Sequence, residues 1–226
     1  MPRFSYEDAD SYGGQSGAGS FFQLKDDGDT ARVHLLGNDM NDFCGYAVHK
    51  VPVGDKDRYV NCLREAHESV DVCPFCASKD KDISKVYAKM FIPLYNVDAE
   101  EVQIWERGKS FFRPLSSYCS RNPKVVNVLT EVERLGKKGD TNTTYQLIKI
   151  ENTDVKLEDF EGDIPEVIGT IVKDVTADDM QYYLDKGSFP DGESVPVRRE
   201  SRRDSVSTSS YGRRTPSNRR SAEEEY

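Results

Sequence analysis

Residues 48–76 of this chain read VHKVPVGDKDRYVNCLREAHESVDVCPFC. The stretch holds two of the 3 histidines and three of the 5 cysteines of the protein. Their spacing is H-x12-C-x10-C-x2-C, from His49 through Cys62 and Cys73 to Cys76. Imidazole and thiolate are the ligands of closed, tetrahedral zinc sites in proteins. The pattern therefore predicts a structural site for one Zn²⁺.

The first half of this stretch predicts a β-hairpin. Gly54-Asp55-Lys56-Asp57 is a turn signal between two runs rich in Val and Tyr, which favours a four-residue loop. If Val53 pairs with Arg58, His49 falls opposite Cys62, with Cβ atoms about 4.5 to 5.5 Å apart. The C-P-x-C turn would then supply the last two ligands from one side of a tight loop.

Three other interpretations of these residues compete with this one. Cys62-x4-His67 is also a workable spacing, so His67 could replace His49 as the fourth ligand. A redox C-x-x-C pair would need an apolar strand before it and a helix after it, and neither is evident here. A disulfide is disfavoured by an odd cysteine count and by the lack of a signal peptide at the N-terminus. Cys44 and Cys119 are interpreted as ordinary buried or half-buried thiols.

Composition limits the size of the packed core. The chain has 226 residues, 36% apolar residues and a net charge of -9. Its apolar runs are too short to span a membrane, which predicts a cytoplasmic protein with reduced thiols. We expect a disordered arm (1–19), a core (20–155) with a zinc subdomain (about 45–80), an acidic, partly helical appendix (156–189) and a disordered Arg/Ser-rich tail (190–226).

Short alternating segments predict strands on both sides of the zinc motif. They are FFQLK, TARVHLLG, SKVYAKMFIPLYN, VQIWERG and TNTTYQLIKIE, with His34 expected to face solvent. Val125, Val128, Val132 and their apolar neighbours predict an amphipathic helix that ends at Gly136, and residues 176–187 predict a capped helix. The fold class predicted is mainly β, an OB-fold-like Greek-key barrel with a zinc-bearing hairpin and a helical insert. Strand count does not separate this barrel from an SH3-like one.

Aromatic and cationic residues alternate along several of these segments, as a groove for single-stranded nucleic acid requires. Bases stack on aromatic faces while Lys and Arg neutralise phosphates. For each single aromatic, a place in the core is an equally good interpretation. The predicted contacts are Lys50, Arg58, Tyr59, Arg64, Tyr87, Lys89, Phe91, Tyr95, Trp105, Arg107, Lys109, Phe111, Phe112, Arg113, Lys137 and Lys138.

The zinc spacing, together with VNCLRE, CPFC, FIPLYNV, VQIWERGKSFF and GKKGDTNTTYQLIKI, resembles the single-stranded-DNA-binding, helix-destabilising proteins of T-even and other tailed phages. The likeness covers roughly residues 20–187, with one extra residue between the second and third ligands. It implies an OB-fold without enzymatic activity, which coats single-stranded DNA in the host cytoplasm during phage replication, recombination and repair.

Both termini depart from that family. Residues 1–19 contain one Arg and three acidic residues, whereas the T-even protein has a basic arm for cooperative self-association, so self-association on DNA stays an open question. The tail here is arginine-rich and turns acidic only at its end. That end would recruit replication or recombination proteins or compete with DNA for a basic groove, through Glu223, Glu224, Glu225 and Tyr226.

Three other functions stay open at the level of sequence. The Arg/Ser tail would also suit a zinc-stabilised RNA-binding regulator. A scaffold that recruits replication proteins would use Trp105 and the tail for protein contacts. A zinc nuclease would need an open coordination position, which four protein ligands would close.

Overall fold

The computed structural model describes residues 20–54, 56–140, 143–160 and 163–190. The predictions for the arm (1–19) and for the tail beyond residue 190, including Glu223, Glu224, Glu225 and Tyr226, lie outside these residues.

Strands dominate the described part of the chain, as the alternating segments predicted. They are β1 (Ser20–Phe21), β2 (Thr30–Leu35), β3 (Gly45–Val53), β4 (Lys56–Asn61), β5 (Val86–Asn96), β6 (Glu101–Gly108), β7 (Val128–Leu135), β8 (Thr144–Asn152) and β9 (Val172–Lys173).

β5 is the centre of the sheet. Its first half pairs with β3, its last residues pair with β2, and its other edge pairs with β6. The strand order is β8-β7-β2-β5-β3-β4-β9, with β1 beyond β6. The β1–β6 and β4–β9 pairs are parallel and the others are antiparallel. Among the described residues no pairing closes this mixed sheet. The mainly β class is confirmed, while the OB-type barrel stays a prediction.

Four α-helices accompany the sheet in the described ranges: α1 (Pro74–Ala77), α2 (Lys81–Ser84), α3 (Phe112–Arg121) and α4 (Ala177–Lys186). Shorter helical turns occupy Met40–Asp42, Val70–Val72, Lys109–Phe111, Val125–Asn127, Leu157–Phe160 and Val167–Ile171.

The predicted capped helix is present as α4. The Thr176 hydroxyl accepts from the Asp179 amide at 3.2 Å, and the Asp179 carboxylate accepts from the Thr176 amide at 3.0 Å. Gly187 ends the helix with a φ of 72°, a left-handed conformation that favours glycine. Local sequence is sufficient here because both ends of the helix are specified by nearby residues.

The predicted helix before Gly136 is wrong. Only Val125–Asn127 form a helical turn, and Val128–Leu135 form β7. Val128, Thr130 and Val132 alternate inward and are buried, and most of these buried residues are β-branched, which suits a strand. The helical insert lies earlier, as α3. Pro114 is tolerated there because it lies in the first turn, where its missing N–H has no partner to lose.

The hairpin is present, but the predicted register is wrong. Val53 pairs with Lys56, so the loop has two residues, and His49 lies opposite Val60. Gly54 has a φ of 60°, the left-handed conformation that a tight two-residue hairpin loop needs. The register differs from the predicted one by two residues, one full side-chain period of a strand. Cys62, two residues beyond Val60, therefore still lies on the same side of the hairpin as His49.

Three buried clusters fill the fold. The first, between β2, β5, β6, β7 and α3, contains Trp105 and Phe111. The second joins the β3–β4 hairpin to α1 and α4, and the third lies on the opposite face of β5 around Phe91. His34 is 4% exposed and its Nδ1 lies 2.9 Å from the Val126 carbonyl, so the prediction that it faces solvent is wrong. In the described part of the chain, no helix is long and apolar enough to cross a membrane.

Candidate metal centre and nucleic-acid interface

The structure brings His49, Cys62, Cys73 and Cys76 together, with all four ligand atoms within 4.8 Å of one another. The Cys62 and Cys76 sulfurs are 3.6 Å apart, and His49 Nε2 lies 3.5 Å from Cys73 Sγ and 3.6 Å from Cys76 Sγ. A tetrahedral zinc ion holds two sulfurs about 3.8 Å apart, and a sulfur and a nitrogen about 3.5 Å apart. The cluster could therefore hold a metal ion, and its donors and spacings fit zinc.

The backbone fixes the direction of the His49 ring. His49 Nδ1 lies 2.9 Å from the carbonyl of Ile83 in α2, and an imidazole nitrogen next to a carbonyl must donate its proton. Nε2 is then the unprotonated nitrogen, and it is the atom that points at the cysteines. Burial lowers the pKa of His49, so the ring stays neutral and able to ligate at neutral pH. His67, the alternative ligand, is exposed and is not part of the cluster.

The three thiols are reduced, since all five cysteines of the chain are free. Burial, followed by the influence of Cys62, raises the pKa of Cys76 to about 12, and burial also raises the pKa of Cys62. Without a cation the thiols of Cys62 and Cys76 would remain protonated at neutral pH. A metal ion would therefore displace their protons when it binds.

The second cluster surrounds the metal ligands with apolar side chains. Phe75 lies between Cys73 and Cys76 in the C-P-x-C turn. Its ring packs edge-on against His49 at 5.5 Å and against Tyr183 of α4 at 5.5 Å. Met180 of α4 places its sulfur 3.7 Å from Cys73 Sγ. Residues 156–189 were predicted to form a separate appendix. That prediction missed that α4, within this segment, covers the candidate metal centre. Met180 and Cys73 are too far apart in the chain for a short-range sequence signal to connect them.

The predicted nucleic-acid contacts do not form one surface, and their exposure divides them into three groups. Lys50, Arg58, Lys109, Phe112, Arg113, Lys137 and Lys138 are exposed; Tyr59, Arg64, Tyr87, Lys89, Tyr95 and Arg107 are half-buried; and Phe91, Trp105 and Phe111 are buried.

The three buried rings cannot stack on bases in this structure, which corrects their prediction. Trp105 has no exposed surface and lies in the first cluster, 4.8 Å from Phe111 and 5.6 Å from Phe22. Phe91 is the centre of the third cluster. Burial of large aromatic rings stabilises the fold, because it removes a large apolar area from water. An alternating sequence pattern does not show which rings are buried.

One face of β3, β4 and β5 does bring aromatic and cationic side chains together. Strand registers align Tyr46 with Lys89, and Lys50 with Tyr59, on the same side as Tyr87. The Lys89 ammonium lies 5.3 Å from the Tyr59 ring centre, and the Lys85 ammonium lies 4.7 Å from the Tyr87 ring centre. We call this surface the tyrosine face, and its members are Tyr46, Tyr59, Tyr87, Lys50, Lys85 and Lys89.

Tyr46 and Lys85 were missed by the sequence predictions. Tyr46 was detectable, because Tyr46, Val48 and Lys50 alternate on one side of a predicted strand. Lys85 precedes β5 with an extended backbone, two residues before Tyr87, and its ammonium therefore reaches the Tyr87 ring.

Acidic partners hold two of the lysines of the tyrosine face. Lys89 pairs with Glu106 at 2.5 Å, and the Tyr59 hydroxyl donates to the same carboxylate at 2.8 Å. Lys50 pairs with Asp57 at 2.8 Å. Burial opposes the charge on Lys89, but the hydrogen bonds and charge interactions with Glu106 and Tyr59 together outweigh it and raise the pKa of Lys89. Lys85 has no ion pair among the described residues.

Phe160 and residues 167–172 cover part of this side of the sheet. Ile171 and Val172 are buried against Phe91, and Val167 and Ile168 pack beside Tyr46, Tyr59 and Tyr87. Farther along β5, the Phe160 ring lies 4.8 Å from the Tyr95 ring. The three tyrosines of the face are therefore half-buried, with an exposed side and a covered side.

Arg107 lies on the opposite side of the sheet, because its partner in β5 is Met90. Its guanidinium lies 4.2 Å from the Tyr145 ring centre, at a cavity of about 260 Å³ that Arg134 and Phe21 also line. Arg107 therefore does not belong to the tyrosine face.

Comparison of the chain with protein-family models and with curated proteins finds no match.

Proposed function

We propose that the protein binds single-stranded nucleic acid, with single-stranded DNA as its main ligand, and that it catalyses no reaction. The observation that carries this proposal is the tyrosine face, where three half-exposed rings alternate with three lysines. Tyr87 with Lys85, and Tyr59 with Lys89, each place a cation within 6 Å of a ring centre.

Stacking and charge have separate roles on this face. The exposed sides of the rings offer π surfaces on which any base can stack, at about 1 to 3 kcal/mol per base. Phosphates would compete with Glu106 and Asp57 for Lys89 and Lys50. Because each phosphate that a lysine neutralises releases a counterion, affinity should fall as salt rises, and because phosphates are alike at every position it should depend weakly on sequence.

In this proposal the metal is a structural zinc ion. Four protein ligands fill a tetrahedral coordination sphere, so no position is left for water to be activated. His49 lies in β3 between Lys50 and Val48, and Tyr46 and Lys50 of the same strand belong to the tyrosine face. The ion would therefore keep the β3–β4 hairpin in the position that sets the spacing of Tyr59 and Lys50.

The resemblance to phage helix-destabilising proteins extends the proposal to a biological role. The protein would coat and protect single-stranded DNA in the host cytoplasm during phage replication, recombination and repair. In that family the fold is an OB barrel, and the described sheet, with β5 shared between β2 and β3, is compatible with such a fold.

The test is binding of a labelled oligo-dT by fluorescence anisotropy, with duplex DNA and RNA of equal length as competitors. Tyr87→Ala should weaken binding about 5- to 150-fold, the loss of one stacked base. Tyr182, which is 43% exposed on α4 and outside the tyrosine face, supplies the matched control Tyr182→Ala.

The proposal fails if duplex DNA competes as well as the single strand at equal salt, or if both alanine variants bind like the wild-type protein. If RNA competes more strongly than DNA, the main ligand is single-stranded RNA, and the tyrosine face is still the proposed binding site.

A further inference from the structure

Two adjoining cavities lie away from the metal centre, where α3 ends and β7 begins. Their volumes are about 370 and 390 Å³, and both are lined by Lys124 and Asn127. The remaining polar lining residues of this groove, which we call the Lys124 groove, are Arg121, Asn122, Lys149, Asn152, Asn38, Lys156 and Glu158.

The charge of the groove is one-sided. Four cations, Arg121, Lys124, Lys149 and Lys156, line it against a single acid, Glu158. The ion pairs seen in the described ranges all lie elsewhere, so none of the four cations is neutralised by a carboxylate there. In an acidic protein, a cluster of unpaired cations interleaved with four asparagine amides is a site for a polyanion.

The backbone of Lys124 is strained in a way that points to a role for its side chain. Its φ of 56° and ψ of 61° are left-handed, a conformation that suits glycine. Two hydrogen bonds hold the next residues in place, from the Val125 amide to the Asn38 carbonyl and from the Val126 amide to the Gly37 carbonyl, each of 3.0 Å. Lys124 lines both cavities, so this backbone conformation places its side chain at their junction.

Two of the asparagines that line the groove are also fixed. Asn122, only 8% exposed, donates from its side chain to the Tyr118 carbonyl at 2.9 Å, and Asn127 donates to the Val155 carbonyl at 2.8 Å. Each amide group keeps a second hydrogen and its oxygen for other partners. These two amides are therefore held in place before any ligand binds.

We propose that the Lys124 groove binds the phosphodiester backbone of the same single strand that crosses the tyrosine face. No aromatic ring lines the groove, so it would take phosphates and not stacked bases. This inference rests on the proposed function and extends its site.

Residues 156–160 connect the two surfaces. Lys156 and Glu158 line the groove, while Phe160 lies on Tyr95, which follows Tyr87 and Lys89 along one side of β5. A nucleic-acid strand that leaves the tyrosine face and continues past Tyr95 would therefore reach Lys156 and then Lys124. The groove would bind only oligonucleotides long enough to extend past the tyrosine face.

The experiment compares oligo-dT of about 5 and about 20 nucleotides, within and beyond a typical site size, across a salt series. The test protein carries Lys124→Gly and Lys149→Gln. Glycine removes the charge and relieves the left-handed strain, so the variant should melt at or above the wild-type temperature. The matched control, Lys25→Gln with Lys186→Gln, removes two exposed lysines that do not line the groove.

Affinity of the groove variant for the long oligonucleotide should fall about 25-fold at about 0.1 M salt, and the slope of log affinity against log salt should become shallower by about 1.4, or about 0.7 for each lost phosphate contact. Affinity for the short oligonucleotide should not change, and the control should match the wild-type protein.

The two proposals fail in different ways. If the groove variant binds the long oligonucleotide with wild-type affinity and slope while Tyr87→Ala is weakened, the groove proposal is overturned and the proposed function stands. If the wild-type protein binds neither oligonucleotide, the proposed function itself is overturned, and the groove proposal with it.

Discussion

Removal of the metal should open one part of the molecule and leave another closed. The ligands come from β3, from the residue after β4, and from the start and middle of α1. α1 and α2 have four residues each, which is too short for either to be stable without tertiary support. The first cluster, around Trp105, contains none of the four ligands.

The size of the effect follows from linkage. Zinc binds structural sites of this type with about 10 to 16 kcal/mol, comparable with the whole stability of a domain. Free zinc held at about 100 times its Kd contributes about 2.7 kcal/mol, a factor of about 100 in the opening equilibrium. Burial of Phe75 and Met180, each 0% exposed, keeps some structure, since each contributes about 1.5 to 3 kcal/mol.

Hydrogen exchange read by mass spectrometry separates the two regions. After chelation, peptides from residues 70–77 and 177–186 should exchange at least about 100-fold faster. Peptides from residues 101–108 and 128–135 should keep their protection, and the emission of the buried Trp105 should not shift. Unchanged exchange in residues 70–77 after complete metal removal would refute the idea that the metal ion holds α1 to the β3–β4 hairpin. Loss of protection in all regions together would refute the independence of the first cluster.

Three further outcomes are expected. Because burial raises the pKa values of Cys62 and Cys76, zinc binding should release a proton from each at neutral pH, about two in all, and affinity should fall as pH is lowered; calorimetry in buffers of different ionisation enthalpy measures this, and release of fewer than about two would contradict ligation by both thiolates. Burial, opposed in part by the hydrogen bond to Val126, lowers the pKa of His34 below 6.5, so stability present above that pH should decline as pH falls through it. Urea unfolding of His34→Gln should show a flatter pH dependence, whereas His67→Gln, at an exposed position, should keep the wild-type slope; equal slopes in both would remove His34 from the explanation. Thr176→Ala should cost about 1 kcal/mol of α4 stability, while Thr176→Ser should retain the cap; equal exchange rates in residues 177–186 of the two variants would argue against the capping box.

Local features were predictable from sequence because neighbouring residues decide them. The cap at Thr176, the end at Gly187 and the alternation of β5, β6 and β8 all depend on contacts within a few residues. The metal ligands were also predictable, because cysteine and histidine in this spacing have few other uses in a chain that is poor in both.

Residues 125–135 show where periodicity is insufficient. Val128 and Val132, four residues apart, satisfy both a helical and a strand pattern, and only pairing with β2 and β8 selects the strand. The register of the β3–β4 hairpin was also not predictable from the turn signal. A two-residue loop and the pairing of β3 with β5 determine it.

The sequence by itself determined the four residues of the candidate metal centre, most of the strands and the capped helix, because each is specified by residue chemistry or by short-range periodicity. Only the tertiary structure decided which rings face solvent. Trp105 and Tyr87 look alike as aromatic residues beside cations, but one packs between β2 and α3 while the other remains half-exposed on the tyrosine face. Burial depends on which strands pair across the whole chain. The position of α4 over the candidate metal centre and the clustering of the four cations of the Lys124 groove depend on that pairing as well.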